Sequence, residues 1–220
     1  PVSTGTVDGD KVRRYFDGAA ERFDAIYRSD KGVGQKLVDG LFRNVIHRRF
    51  ELTFEVLGSP AGKRVLDIGC GSARYGVELA RRGAEVVGLD FAAGMVELAR
   101  EAASAAGVAD RCRFEQCDFL NWSDPEPFDI CLAIGFFDYI GKPGAFLQQI
   151  RALEPQQCVF SFPMRWTLRT LPRWLRLNAN GCPVYFYNAV QVERLLRESG
   201  WDRIEVHRLS RDYIVHAHLA

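Results

Sequence analysis

Asp67 and Asp90 have the clearest capacity for ligand chemistry, because each ends or nearly ends an apolar run at the edge of a turn. Asp67 sits in Val65-Leu66-Asp67-Ile68-Gly69-Cys70-Gly71, and Asp90 closes Val86-Val87-Gly88-Leu89-Asp90. Apolar runs that stop at special-backbone turns read as buried parallel strands whose carboxyl ends meet at a site. Gly69 and Gly71 lack the Cβ atoms that would hold a ligand away from the backbone. A helix expected over about 73–82 turns its free N–H groups toward the same turn. A carboxylate at Asp90 can grip the two hydroxyls of a ribose, so the pattern describes a nucleoside-cofactor site.

The residue types separate two candidate cofactors. A dinucleotide fingerprint, G-x-G-x-x-G/A, needs a small sixth residue so that the helix packs closely beneath a pyrophosphate. Arg74 occupies that position. Asp67 would also repel a pyrophosphate, whereas it would attract an ammonium. S-adenosylmethionine carries an α-ammonium, a sulfonium and a ribose, and no phosphate. Asp67 and the turn Gly69-Cys70-Gly71 suit its amino-acid end, and Asp90 suits its ribose. A nicotinamide oxidoreductase is disfavoured by the same two residues, Asp67 and Arg74.

The segments Asp67-Ile68-Gly69-Cys70-Gly71-Ser72-Ala73 and Leu89-Asp90 resemble the class I S-adenosylmethionine-dependent methyltransferases, over about 63–163. Their first motif is acid-x-Gly-x-Gly-x-Gly; here the last position is Ala73, small enough to leave binding intact. The resemblance implies a Rossmann-like, doubly wound α/β fold. Its seven-stranded sheet would be mostly parallel, with an antiparallel C-terminal hairpin and added N-terminal helices. It also implies S-adenosylmethionine as cofactor and S-adenosylhomocysteine as product. In that family an acid after the third core strand accepts a bond from the adenine amino group, and the next residue stacks nearby. Asp118 and Phe119 match those positions. Phe91 and Met95 are candidates to pack on the adenine faces, with ordinary helix packing as the competing account of Met95. For Asp118 the competing account is a turn residue before Asn121.

The fourth core strand, expected over 128–134, ends at Ile134 beneath the methyl group. Gly135-Phe136-Phe137-Asp138-Tyr139 follows, where the family places substrate-facing residues. Asp138 and Tyr139 are the catalytic candidates, as substrate holders or a weak base; the competing reading has Asp138 capping a helix and Tyr139 packing. The sequence lacks the Asp/Asn-Pro-Pro-aromatic run of enzymes that methylate nucleic-acid amines. It also lacks a Pro-Cys pair for attack on cytosine and paired glutamates for a guanidinium.

Strands and helices alternate along the chain, which specifies a parallel sheet covered on both faces. Strands are expected at 64–68, 85–89, 112–117, 128–134, 157–162, 203–208 and 212–219. Helices are expected at 10–28, 36–57, 73–82, 93–106, 143–152 and 189–199. We divide the chain into an N-terminal helical cap, 1–60, and a methyltransferase core, 61–220, with a substrate-side insertion at 164–187. The first helix carries Tyr15, Phe16, Phe23 and Tyr27 along one side, as a lid or a core stripe; Tyr15 and Tyr27 are acceptor-binding candidates. The insertion aligns arginines 165, 169, 173 and 176. Arg169 and Arg173 are candidates to clamp an acceptor carboxylate or phosphate; a solvated face is slightly favoured, and contact with an anionic membrane surface is a third reading. Tyr185 and Tyr187 face the acceptor in the same expectation. Ser161-Phe162-Pro163, the insertion and Tyr185-Phe186-Tyr187 are similar to magnesium-protoporphyrin O-methyltransferases, which esterify a propionate. Tyr15-Phe16-Asp17 and Phe23-Asp24-Ala25-Ile26-Tyr27 resemble ubiquinone-type methyltransferases.

Lys and Arg number 29 against 28 acidic residues, so a dedicated nucleic-acid binder is not expected. No apolar run approaches the ~20 residues of a membrane span, and no secretory-leader pattern opens the sequence. Six cysteines show no Cys-x-x-Cys pair or metal spacing, so we expect reduced thiols in a cytoplasmic protein with no metal. His216 and His218 share a strand face, read as solvated rather than as a metal pair. A carboxylate acceptor needs no base at neutral pH, and a phenol or amine does. The function expected is methylation, at O or N, of a small organic acceptor, a carboxylate or phenol being favoured. The alternatives are a macromolecular methyltransferase acting on protein or RNA, or a non-catalytic cofactor-binding module.

Overall fold

The computed structural model describes residues 46–165 and 182–219, together with Val12, Tyr15, Phe16, Thr167 and Leu175. Tyr27, Arg169 and Arg173, with most of the N-terminal helices and the insertion, lie outside the described residues.

Five parallel strands follow the expected boundaries within one or two residues: β1 (Arg64–Ile68), β2 (Glu85–Asp90), β3 (Cys112–Gln116), β4 (Ile130–Ala133) and β5 (Gln157–Pro163). β6 (Arg203–Leu209) and β7 (Asp212–His218) form the closing hairpin. The seven-stranded sheet has the order β3-β2-β1-β4-β5-β7-β6. β7 runs antiparallel to both β5 and β6. Helix α1 covers 46–57 of the described residues. It is followed by α2 (Arg74–Arg81), α3 (Ala93–Ala105), α4 (Gly144–Ala152) and α5 (Ala189–Glu198).

Alternation along the strands divides the core into two layers. Leu66, Ile68, Val87, Leu89, Cys131, Phe160 and Phe162 face α4 and α5, where Leu147, Ile150, Val192 and Leu196 meet them. Val65, Val86, Phe114, Ile130, Leu132, Val159 and Ile214 face the other way, against Phe54 and Leu57 of α1, Leu79 of α2 and Ala99 of α3. Helix α1 is thus packed on the sheet itself. β4 is shorter than the expected 128–134; at its start the Asp129 carboxylate, rather than a backbone carbonyl, accepts the Arg64 backbone N–H at 2.9 Å. Phe128 and Ile134 stay buried outside the strand.

The solvated strand face expected at His216 is corrected. His216 is buried, and its Nε2 lies 2.9 Å from Gln157 Oε1. Burial, with His218 alongside, pushes its imidazole down to about 4, so the ring is neutral near pH 7. Among the described residues no group of three or more His, Cys, Asp or Glu is placed to hold a metal ion.

Candidate cofactor and acceptor site

The crossovers from β1 through α2 and α3 to β3 cover one face of the sheet, and the strand order reverses between β1 and β4. Ligands bind open α/β sheets at such a reversal, outside the carboxyl ends of the strands. The ends of β1, β2, β3 and β4 bring there the segments that carry Asp67 to Gly71, Asp90 and Phe91, Asp118, and Ile134 to Tyr139.

The turn after β1 is built by three left-handed residues, Gly69 (φ 69°), Gly71 (φ 53°) and Ala73 (φ 58°). The backbone N–H groups of Gly69 and Cys70 both donate to Leu89 O, at 2.8 and 3.0 Å, which pins the turn to β2. Asp90 Oδ2 accepts the Gly71 N–H at 3.0 Å, and its Oδ1 accepts the Ala92 N–H at 2.9 Å. Ala73 is the N-cap residue of α2 and makes no side-chain cap bond to its first turn.

Asp67 is 2% exposed. It takes a hydrogen bond from the Gly76 backbone in the first turn of α2. Its Oδ2 is buried with no hydrogen-bond partner among the described residues. Burial, then the neighbouring Asp90 charge, pushes its carboxyl up to about 7, against the partial relief from Gly76. A buried acceptor left open beside a second carboxylate is a place for a cation that donates hydrogen bonds.

The two glycines separate stability from binding. A Cβ at Gly69 would stand 2.7 Å from Phe136 Cδ2, whereas one at Gly71 would meet nothing within 4 Å. Gly69→Ala is expected to cost about 2–3 kcal/mol of stability, from backbone strain plus the clash. Gly71→Ala should cost about 1 kcal/mol from strain alone while filling the space a ligand would use. Denaturant titration and ligand calorimetry on both variants check this; equal stability losses would refute it.

Several aromatic groups close the edge. Phe16 meets Tyr139 at 5.1 Å and Phe91 at 6.3 Å, both edge-on. Val12, Cys182 and Val184 form the buried centre of this cluster, with Tyr15, Phe91, Tyr139 and Phe186 packed around it. Phe16 therefore bridges the segments that follow β2 and β4. Asp138 is 4% exposed in the turn Phe137–Tyr139, and its backbone O accepts the Tyr185 N–H at 2.9 Å. Gly135, at φ 78°, donates its N–H to Ser161 Oγ at 2.7 Å. Tyr187 donates to Ile140 O at 2.8 Å.

Other candidates are engaged locally. Asp118 caps a short turn, accepting from Leu120 N and Asn121 Nδ2, each at 3.2 Å. Phe119 is buried against Trp122 and Phe146, and Met95 is buried in the first turn of α3. Sequence reasoning missed Arg49, Tyr75, Ser161 and Asp212, which lie around the same edge. Arg49 Nη1 stands 3.5 Å from Asp212 Oδ2, and both Arg49 terminal nitrogens stand 3.8 Å from the Cβ position of Gly135.

The family described as methyltransferase domain matches residues 59–201. The chain belongs to the class I S-adenosylmethionine-dependent methyltransferases. The ubiquinone biosynthesis O-methyltransferase of Azorhizobium caulinodans is 36% identical over 111 residues, 50% of this chain and 43% of that protein. The tRNA 5-carboxymethoxyuridine methyltransferase of Escherichia coli K12 is 29% identical over 140 residues, 62% of this chain and 51% of that protein. The chain thus spans about half the length of these curated relatives. Among solved structures, magnesium protoporphyrin IX methyltransferase from Synechocystis PCC 6803, with S-adenosylhomocysteine bound, superposes with a TM-score of 0.76. It covers 97% of this chain and 100% of its own at 19% identity, a likeness of fold.

The family's cofactor is S-adenosylmethionine, and the site fits it. The open Oδ2 of Asp67 suits an ammonium, and the free space over Gly71 suits close approach to the backbone.

Proposed function

We propose that this methyltransferase transfers a methyl group to a small organic acceptor, at oxygen or nitrogen, with a carboxylate or phenol favoured. The observation that carries the reading is the buried Asp67 carboxylate, open at Oδ2, beside Asp90 and the glycine turn. Bound S-adenosylmethionine supplies the activated methyl.

Asp67, Gly69, Cys70 and Gly71 receive the amino-acid end, and Asp90 the ribose. Phe91, Met95, Asp118, Phe119 and Ile134 line the adenine and thioether side. Asp118 can still accept a further bond, since each carboxylate oxygen has two lone pairs. Asp138 and Tyr139 stand next to the methyl position, as holders of the acceptor or a weak base. His216 and His218 lie at the far end of the sheet with Gln157, and His47 is exposed, its Nδ1 3.1 Å from Glu51 Oε1. That favours an acceptor already ionised at neutral pH, which needs no strong base.

Phe16 with Phe91 and Tyr139 excludes water and walls an apolar acceptor; we assign residues 1–60 the role of a cap, with Tyr15 and Tyr27 as acceptor-binding candidates. Tyr185, Tyr187, Arg169 and Arg173 are assigned to the acceptor side. The near balance of charge, 29 basic to 28 acidic residues, supports a small acceptor over a nucleic acid. The tRNA methyltransferase among the relatives keeps a macromolecular acceptor as the second reading. Among the described residues no helix is long and apolar enough to cross a membrane. All six cysteines are free thiols, which suits our placing of the enzyme in the cytoplasm.

Calorimetric titration with S-adenosylmethionine, S-adenosylhomocysteine and NAD tests the cofactor assignment. About micromolar binding of the first two, with none of the third, is expected. Binding of NAD alone would sink it. Methyl transfer from labelled cofactor to carboxylic and phenolic acceptors, with bulk tRNA in parallel, then separates the two acceptor classes.

A further inference from the structure

The last rung between β4 and β5 joins Ala133 to Phe160, and β5 runs on to Pro163. Beyond that rung a side chain takes over from the backbone: Ser161 Oγ accepts the Gly135 N–H at 2.7 Å. We propose that Ser161 is a positioning residue for methyl transfer, which acts through Gly135 to aim the Ile134 carbonyl at the sulfonium and methyl of the bound cofactor. This rests on the cofactor reading above and deepens it.

The peptide plane sets the direction. The Ile134–Gly135 bond is trans, so its C=O points opposite to its N–H. β4 lies between β1 and β5, and an N–H held toward β5 therefore sends the Ile134 carbonyl to the β1 side. The last rung between β1 and β4 joins Asp67 to Leu132. Were the sheet to continue, the chain after β1 would offer this carbonyl an N–H. That chain turns away instead, and the N–H groups of Gly69 and Cys70 both go to Leu89 O. The carbonyl is left facing the gap between the end of β4 and the cofactor turn. Gly135, at φ 78°, has already taken the chain out of the strand, so Ser161 fixes a peptide plane that the ladder no longer holds.

The chemistry of the position agrees. Ser161 is fully buried, on the sheet face that carries Val159 and Ile214. An apolar residue of its size would fill that place without the cost of burying a hydroxyl, so packing does not account for it. Its bond to Gly135 does. A sulfonium spreads positive charge onto its methyl hydrogens, and a carbonyl dipole aimed at them makes C–H···O contacts. Such a contact fixes the direction of the methyl group, which an in-line displacement requires.

A hydrogen bond that only holds the strand end is the competing account, and the charge on the ligand separates the two. S-adenosylmethionine and S-adenosylhomocysteine differ only in the methyl and its positive charge. Calorimetry on the wild type, Ser161→Ala and Ser161→Thr with both ligands reads the ratio of their affinities, and thermal melts read stability. Ser161→Ala should weaken S-adenosylmethionine by about fivefold and leave S-adenosylhomocysteine within about twofold. Ser161→Thr keeps the hydroxyl but forces a methyl into a packed layer, so it should melt lower and keep the wild-type ratio. A ratio that falls with stability in both variants, or that neither variant moves, overturns the proposal. Should Ser161→Ala fail to fold, Ser161→Cys decides, because a thiol is a weak acceptor. A fallen ratio in that variant supports the aimed carbonyl, and an unchanged ratio overturns it. Wild-type protein that bound neither ligand would overturn the cofactor reading beneath it, a result distinct from a changed ratio.

Discussion

Asp67→Asn is expected to raise the melting temperature of the ligand-free protein at pH 8 while removing its affinity for S-adenosylmethionine. Burial and the Asp90 charge hold the Asp67 carboxyl at about 7, above its ordinary 3.8. The folded protein therefore binds that proton more tightly than the unfolded chain does. Stability from this group is complete below about 4 and is lost as pH rises through about 7. A shift of this size corresponds to up to about 4 kcal/mol at pH 8. Asparagine stays neutral and can still accept the Gly76 N–H, so the variant escapes the loss. The melting curves of the two proteins should converge toward pH 4 and separate above pH 7.

Binding moves in the opposite direction. The ammonium needs the ionised carboxylate, and in the variant it meets a neutral amide, a loss of about a hundredfold for a buried charge-assisted bond. In the wild type, cofactor affinity should fall about tenfold per pH unit below 7 and level off above it. Calorimetry from pH 5 to 8.5 and thermal melts over the same range check both halves. Equal melting temperatures at pH 8, or a pH-independent affinity, would refute the assignment of Asp67. The same trade is common at ligand sites, where a strained or charged group persists because the ligand satisfies it.

The strands were legible because each is a short apolar run with its own stop signal. Val65 to Ile68 ends at Gly69, and Val86 to Asp90 ends before Phe91, so their boundaries followed from local sequence. The cofactor turn was legible for a related reason: only small residues fit the left-handed positions at Gly69, Gly71 and Ala73. The order of the strands is set by contacts far apart in sequence, such as Cys158 opposite Ala217, and local sequence does not carry it; the family resemblance implied only a seven-stranded sheet with an antiparallel final hairpin. Arg49 was illegible for the same physical reason. In His47-Arg48-Arg49 it looks like its exposed neighbours, and only the docking of α1 on the sheet turns it toward Asp212. His216 was misread because the edge hairpin was expected to leave one face in water, whereas Gln157 and the packed sheet cover it. The aromatic cover was half legible: the periodicity put Tyr15 and Phe16 on one helical side, and the fold supplies Phe91 and Tyr139 as their partners.

Phe137→Ala should be among the most destabilising single substitutions near the site, because this residue ties the turn Phe137–Tyr139 to the core. Phe137 is fully buried. Its ring stacks on Phe162 at 4.6 Å with a 7° interplanar angle, and meets Phe160 and Phe136 edge-on at 5.9 and 5.3 Å. Removing a phenyl from such a position costs about 3–5 kcal/mol, from lost transfer energy plus the cavity left behind. The effect should extend past stability. Asp138 and Tyr139 follow directly in the same turn, and Phe136, packed on Phe137, is the ring that abuts Gly69. A loosened turn would misplace Asp138 and Tyr139, the residues we propose to hold the acceptor, by an ångström or so, enough to slow a displacement that depends on alignment by about a hundredfold. Phe137→Leu keeps the site apolar and most of its volume, so it should lose about 1–2 kcal/mol and retain most of the turnover. Denaturant midpoints and methyl-transfer rates, measured on both variants at a temperature where each is folded, separate the two effects. If the alanine variant lost less than about 1 kcal/mol, the core could collapse around the gap and the turn would be held by its own hydrogen bonds. If it lost stability but kept its rate, Asp138 and Tyr139 would be positioned by the Tyr185 and Tyr187 contacts alone, and the aromatic stack would be structural only.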